Sequence, residues 1–152
     1  MSPVSYPFTN KRVLATVVDY TIVFAFFFWF VFTFGTPNEE GEMEVSGMPA
    51  LIPVGFWFCF LILPEGLFGQ TLGHALAGIK VFSLDGTSLR VWQVIKRRLA
   101  DAVEISWCFG LLAFTLVKNT NRHQRLGDIW ANTVVLTKDD SIQFDFDIGN
   151  DE

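Results

Sequence analysis

Two runs in this chain are too long and too apolar for a soluble core. Between Arg12 and Glu39 lie 26 residues whose only charge is Asp19, and between Glu44 and Glu65 lie 20 with no charge. Crossing the hydrocarbon core takes about 20 predominantly apolar residues in a helix, so both runs reach across. A soluble domain of 152 residues could bury a core at 51% hydrophobic composition, but it would not need stretches of this length. A cleaved signal peptide is the competing reading of the first run. It fits poorly, because the run is too long, carries Asp19 and ends in FGTPNEE instead of a small-x-small site. The chain reads as a polytopic membrane protein.

Orientation follows from the basic residues. The loop 35–50 has four Glu and no Lys or Arg, whereas Lys11 and Arg12 precede the first run, and Lys80, Arg90, Lys96, Arg97 and Arg98 follow the second. The positive-inside rule then puts the N-terminus and segment 65–98 in the cytoplasm, with the acidic loop outside. A third apolar segment, 99–117, is interrupted by Asp101 and Glu104, which leave 13 uninterrupted residues with basic flanks on both sides. Thirteen helical residues reach about 20 Å, short of a full crossing, so a short slanted helix or a re-entrant hairpin is expected. The organisation expected is a tail (1–10), a membrane domain (11–137, apolar segments about 13–34, 48–68 and 99–117) and an acidic tail (138–152). The net charge of −5 is concentrated in the acidic loop and tail, read as solvated and disordered. Cys59 and Cys108 sit in apolar runs as small hydrophobes, without disulfide or metal spacing. No internal repeat is read from the sequence.

The cytoplasmic part carries short elements. IKVFSLDGTSLRV alternates around Asp85-Gly86, which predicts a hairpin with a type I′ turn. VWQVIKRRLADAV is helical, with Val91, Ile95, Arg98, Ala102 and Ile105 on one stripe. HQRLGDIWA reads as an amphipathic helix and TVVL as a strand, for which IKVF is the expected partner. The fold class expected is thus mainly α, with two transmembrane helices, a shorter third membrane segment, amphipathic helices and a small β-pair.

Charges beside apolar segments are the candidate chemistry. A carboxylate at the bilayer centre costs about 2.5–3.5 kcal/mol on insertion scales, so Asp19 must be neutral, paired or wet. Arg12 lies seven residues earlier, nearly on the same helical face and about 10.5 Å along the axis. Asp19 is as consistent with interhelical glue as with a proton- or cation-binding acid. Glu65, Asp101, Glu104 and Arg125 are further candidates. Arg98–Asp101 and Arg125–Asp128 have the three-residue spacing of helical ion pairs. Gly69 and Gly73 have small-xxx-small spacing for close helix contact. A phosphate loop is not supported there, for want of GK[ST] and a preceding strand. His74 and His123 lie outside the apolar spans and are read as interfacial side chains, not as haem ligands.

KRVLATVVDY, GQTLGHALAGIKVFSLDGTSLRVWQVIKRRLAD and RHQRLGDIWANTVVL, in that order, resemble the RDD family of membrane proteins, from about Lys11 to Leu136. The family is named for one Arg and two Asp, which the resemblance places on Arg12, Asp19 and Asp128. His74 departs from the pattern, since relatives commonly carry Lys or Arg there. The resemblance implies an integral membrane domain for which ion or solute transport has been suggested. One expected function is transport of a cation or small solute with Asp19 as the binding carboxylate, Arg12 and Asp128 converging on it. The other is a non-catalytic scaffold or docking module whose charges only lock the fold. No enzyme activity, cofactor, metal site or nucleic-acid partner is expected. The expected partners are the lipid bilayer and a second copy or another membrane protein, with the plasma (inner) membrane as location.

Overall fold

The structure, a computed structural model, describes residues 9–85, 87–108 and 124–137. Helix α1 (Thr9–Phe34) contains the first apolar run. A two-stranded turn, β1 (Thr36–Pro37) against β2 (Met43–Glu44), follows. Its bend is closed by the Asn38 side chain, which accepts from the backbone N–H groups of Glu40 and Glu42. The acidic loop is therefore folded, contrary to the expectation of disorder. The second run is continuous helix: a 3₁₀ turn (Met48–Ala50), α2 (Leu51–Trp57), a π turn (Phe58–Ile62) and α3 (Leu63–Phe68). The π turn lies immediately before Leu63-Pro64. Proline lacks an N–H and its ring clashes with the carbonyl four residues back, so the preceding turn widens instead of the helix ending. Leu63 accordingly donates to the Phe58 carbonyl, five residues back.

Asn10–Phe34 and Met48–Phe68 are the two described stretches long and apolar enough to cross a membrane. Only 17% of either apolar window is buried, so neither is the core helix of a soluble protein. Backbone that self-pairs within a helix suits hydrocarbon, where no water can satisfy it. Away from the cytoplasmic elements the two helices meet through aromatic rings, with Phe26 stacked on Phe56 at 3.9 Å between centroids and Phe56 on Phe60 at 5.5 Å. Val13, Val17, Phe28, Phe32, Leu51 and Val54 project outward. The inward stripe of α1 is Arg12, Ala15, Asp19 and Phe30.

Four elements cap this pair. Helix α4 (Leu72–Ala77) leads through Gly78 into β3 (Ile79–Ser83), and α6 (Leu126–Ala131) leads through Asn132 into β4 (Thr133–Thr137). Gly78 and Asn132 both take left-handed φ, +68° and +55°. The strands pair antiparallel from Ile79↔Thr137 to Ser83↔Thr133, the partnership expected for IKVF and TVVL. The Asp85-Gly86 hairpin does not form. Residues 87–90 are not strand, β3 takes β4 instead, and Arg90 begins helix α5 (Val91–Cys108) with its N–H bonded to Gln93 Oε1 at 2.9 Å. Gln93 then ties three elements together through Ser83 Oγ and the Ala131 carbonyl. A small apolar core of Ala15, Ala77, Ile79, Val81 and Val135 joins α1, α4 and the strands.

Helix α5 turns a different face inward from the one the apolar spacing predicts. Val94, Arg97, Arg98 and Asp101 are buried, while Val91, Trp92 and Leu99 are exposed. Residues 99–108 of the third apolar segment are helical in α5; residues 109–117, and with them the expected re-entrant hairpin or third membrane helix, lie outside the described residues, as do His123 and the acidic tail.

The fold also reveals an internal repeat, against the sequence reading. KRVLATVVD (11–19) matches KRRLADAVE (96–104) at five of nine positions, and QTLGHALAGIKVFS (70–83) matches QRLGDIWANTVVLT (124–137) at five of fourteen. Each first segment is a helix, and each second segment is a six-residue helix, a left-handed residue and a five-residue strand. Helix α4 packs on α1 as α6 packs on α5. The glycine in each LG pair makes the contact: a Cβ on Gly73 would collide with the Ala15 carbonyl, and one on Gly127 would crowd Arg97 O at 3.1 Å and Ala100 Cβ at 3.2 Å. Different connections, 20–69 and 105–123, hide the repeat from a linear reading.

Candidate functional site: a buried guanidinium–carboxylate ladder and a separate carboxylate

Six ion pairs run end to end beneath α1. Arg12 Nη1 holds Asp128 Oδ2 at 2.9 Å, and Asp128 Oδ1 also takes Arg97 Nη1. Arg97 Nε holds Glu65 Oε1 at 2.6 Å, and Glu65 Oε2 takes Arg98 Nη2. Arg98 Nη1 holds Asp101 Oδ2 at 2.8 Å, and Asp101 Oδ1 takes Arg125 Nη1 at 3.1 Å. Asp128, Glu65 and Asp101 thus each lie between two guanidiniums, and all three are at most 1% exposed. Charges removed from water persist only with such partners, because the desolvation cost of each ion is several kcal/mol. Arg12 Nη2 also donates to the Val135 carbonyl, Arg97 Nη1 to Thr133 Oγ1, and the Tyr20 hydroxyl to Asp101 Oδ2. Among the described residues, Arg97 Nη2 and Arg98 Nε are buried donors without an acceptor.

The guanidiniums differ in how this environment acts on them. Burial pulls Arg97 down to about 10, against the opposing pull of Glu65, so it stays charged at neutral pH. Burial would also lower Arg98, but Glu65, Asp101, Tyr20 and Asp19 together outweigh it and raise the group above its ordinary value. Four guanidiniums face three carboxylates in the ladder, leaving one positive charge in excess. Asp19 is the fourth acid.

Asp19 is held differently. Thr71 Oγ1 donates to its Oδ2 at 2.5 Å, and the Gly73 backbone N–H donates to its Oδ1 at 2.7 Å. Thr71 is the N-cap of α4, its hydroxyl accepting from the His74 N–H at 3.2 Å, and His74 Nδ1 lies 2.8 Å from the same hydroxyl. Close approach of the backbone at Gly73 is what lets the carboxylate reach the helix end. His74 is buried, not interfacial, and burial pulls its imidazole down to about 3, Glu65 opposing.

The expected convergence of Arg12, Asp19 and Asp128 is therefore corrected. Arg12 and Asp128 meet, but Asp19, two turns further along α1, meets α4 instead. The residues quoted in QTLG contained the answer: a Thr directly before an apolar helical run is an N-cap signal, which makes Thr71 a buried partner. Arg125 and Asp128 are not a side-chain ion pair. The Arg125 backbone N–H donates to Asp128 Oδ2 at 3.1 Å, while its guanidinium goes to Asp101. Gly69 does not form a helix contact with Gly73; it ends α3 at φ +71°, and its carbonyl accepts from Val81 N–H. Glu104 lies on α5, and its side chain is outside the described residues. Arg97, which carries two of the six pairs, and Tyr20 were missed because their roles depend on elements far apart in sequence.

Two lipid-length helices carrying a buried Arg–carboxylate ladder at one end define a membrane-type protein with intramembrane charge. A model of the RDD family matches residues 6–132, and the chain belongs to that family. No curated protein and no solved structure matches it.

Proposed function

We propose that the chain is a subunit of an ion-moving assembly in the plasma membrane, with Asp19 as its exchangeable carboxylate. One observation carries this reading. Each ladder acid is fixed as an anion between two guanidiniums, whereas the described partners of Asp19 are a hydroxyl and a backbone N–H. Only Asp19 can change its charge without stranding a guanidinium. Two spanning helices enclose too little volume for a pathway, so a second copy or another membrane protein completes it. The positive-inside rule favours a cytoplasmic N-terminus and ladder, and no residue of the site is assigned an enzymatic role.

A scaffold or docking role is the second reading, favoured by the same contacts in another light. Asp19 joins α1 to the start of α4, as a structural acid would. Asp19→Asn separates the two, because the amide can still accept from Gly73 N–H and bond the Thr71 hydroxyl. In proteoliposomes tested with H⁺, Na⁺, K⁺ and Li⁺ gradients, the variant should fold and lose flux. Undiminished flux would remove the ion-moving reading; absence of flux in the parent protein under every gradient would leave the docking module.

A further inference from the structure

Resting on that reading, we infer that the ion exchanged at Asp19 is a proton, and that it arrives from His74 through the Thr71 hydroxyl. The three side chains form a continuous line: His74 Nδ1 to Thr71 Oγ1 at 2.8 Å, and Thr71 Oγ1 to Asp19 Oδ2 at 2.5 Å. The line is walled in, with Thr71 and Asp19 each 1% exposed, and His74 at 6% is its most accessible member. A metal cation is disfavoured by the contacts themselves. One carboxylate oxygen faces a backbone N–H, which repels cations, and the other faces a hydroxyl at proton-sharing distance.

Hydrogen-bond capacity lets the line hold two states. In the empty state Asp19 is a carboxylate, Thr71 donates to it, and a neutral His74 with its proton on Nδ1 donates to Thr71. The hydroxyl also accepts from the His74 backbone N–H, so its donor and both lone pairs are used. In loading, the Thr71 O–H bond breaks as an O–H bond forms on Asp19 Oδ2. The His74 Nδ1–H bond breaks as the Thr71 hydroxyl is restored, and Nε2 takes one proton from the aqueous side. The net change is one proton gained by Asp19, with His74 neutral throughout as its other tautomer. In the loaded state Asp19 donates to Thr71 and Thr71 donates to Nδ1. That nitrogen is then a bare acceptor, as the 3.5 Å approach of the Thr71 backbone N–H to it also requires. Gly73 N–H keeps an acceptor oxygen in both states.

A relay by tautomer exchange needs an imidazole that stays neutral. The charged groups acting on His74 are Glu65, Arg98, Arg97 and Arg125; only Glu65 favours the cation, and burial with the three guanidiniums outweighs it. His74 therefore carries a single ring proton across the neutral range.

The test uses full-length protein in proteoliposomes enclosing a pH-sensitive dye, with a potassium diffusion potential as drive. It is paired with time-resolved infrared detection of the Asp19 carboxylic acid band after a pH jump in detergent. The band is identified by its loss in Asp19→Asn. His74→Gln and Thr71→Val should slow both dye response and band appearance by about tenfold or more, and Thr71→Ser, which keeps the hydroxyl, should restore both. Band kinetics unchanged in His74→Gln would overturn the relay, even if Asp19→Asn abolishes flux and the ion-moving reading stands. Flux unchanged in Asp19→Asn would instead overturn the reading beneath it. Should Thr71→Val fail to fold, the His74→Gln kinetics decide alone.

Discussion

Glu65 shows what one side chain does in this interior. Its two oxygens satisfy Arg97 and Arg98, neighbours on α5 that would otherwise face each other across a dry space. Glu65→Gln keeps the shape and leaves two buried cations undercompensated, so it should cost about 3–5 kcal/mol. Glu40→Gln in the exposed turn should stay within about 0.5 kcal/mol. Thermal unfolding in detergent at fixed lipid and salt compares the two. A mutant cycle pairing Arg12→Gln with Asp128→Asn should be strongly non-additive, whereas Asp19→Asn with Asp128→Asn should add to within about 0.5 kcal/mol, since the two acids share no partner. His74 supplies a pH prediction. Its folded value of about 3 lies below the unfolded value of about 6.5, so the unfolded chain binds the proton first. Stability is level above about pH 6.5 and falls as pH drops from there towards 3, by at most about 1.4 kcal/mol per unit from this residue. Denaturation midpoints between pH 5 and 7.5 should show that slope in the parent and less of it in His74→Gln.

At the scale of elements, packing depends on two glycines. Gly73→Ala would set a Cβ against the Ala15 carbonyl, and neither the backbone of α1 nor that of α4 can yield locally. The expected cost is about 1–3 kcal/mol, together with loss of the bond from Gly73 N–H to Asp19. Gly66→Ala is the control, because its Cβ would meet only Val91 Cγ2 at an ordinary 3.7 Å, and it should be neutral or mildly stabilising. Calorimetry of the two proteins distinguishes them. Elements were largely legible from sequence: both long helices, the α6–β4 unit and its pairing with β3 follow from hydrophobic length and alternation. The inward face of α5 was not, because apolar spacing marks the buried side of a soluble helix, while here Arg97, Arg98 and Asp101 turn inward and Leu99 outward. Asp85-Gly86 misled for a related reason. A turn dipeptide specifies a bend, but the strand that pairs with β3 comes from more than 50 residues later. Arg12 and Asp128 could be named from sequence, but the attachment of Asp19 to Thr71 could not, because spacing along α1 does not indicate which helix faces each turn.

Across the molecule, the repeat has diverged into unlike halves. Its equivalent positions carry His74 beside Asp19's hydroxyl partner in one half and Asp128, fixed by Arg12 and Arg97, in the other. Topology can be tested on the whole chain. In a background with Cys59→Ser and Cys108→Ser, Glu42→Cys should react with an impermeant maleimide from outside and Arg90→Cys only after permeabilisation; external labelling at 90 would invert the orientation. The ladder has a further consequence, for biosynthesis. Arg12 and Asp128 are 116 residues apart, so at about 5–20 residues per second the ribosome needs roughly 6–23 s to deliver the partner of a charge already made. During that interval α1 and the second apolar helix enter the membrane with Arg12, Asp19 and Glu65 lacking the residues that later neutralise or bond them. Nascent chains ending before α6 should be substrates for membrane quality control, and an insertion chaperone that shields charge would find its client in this half-made state.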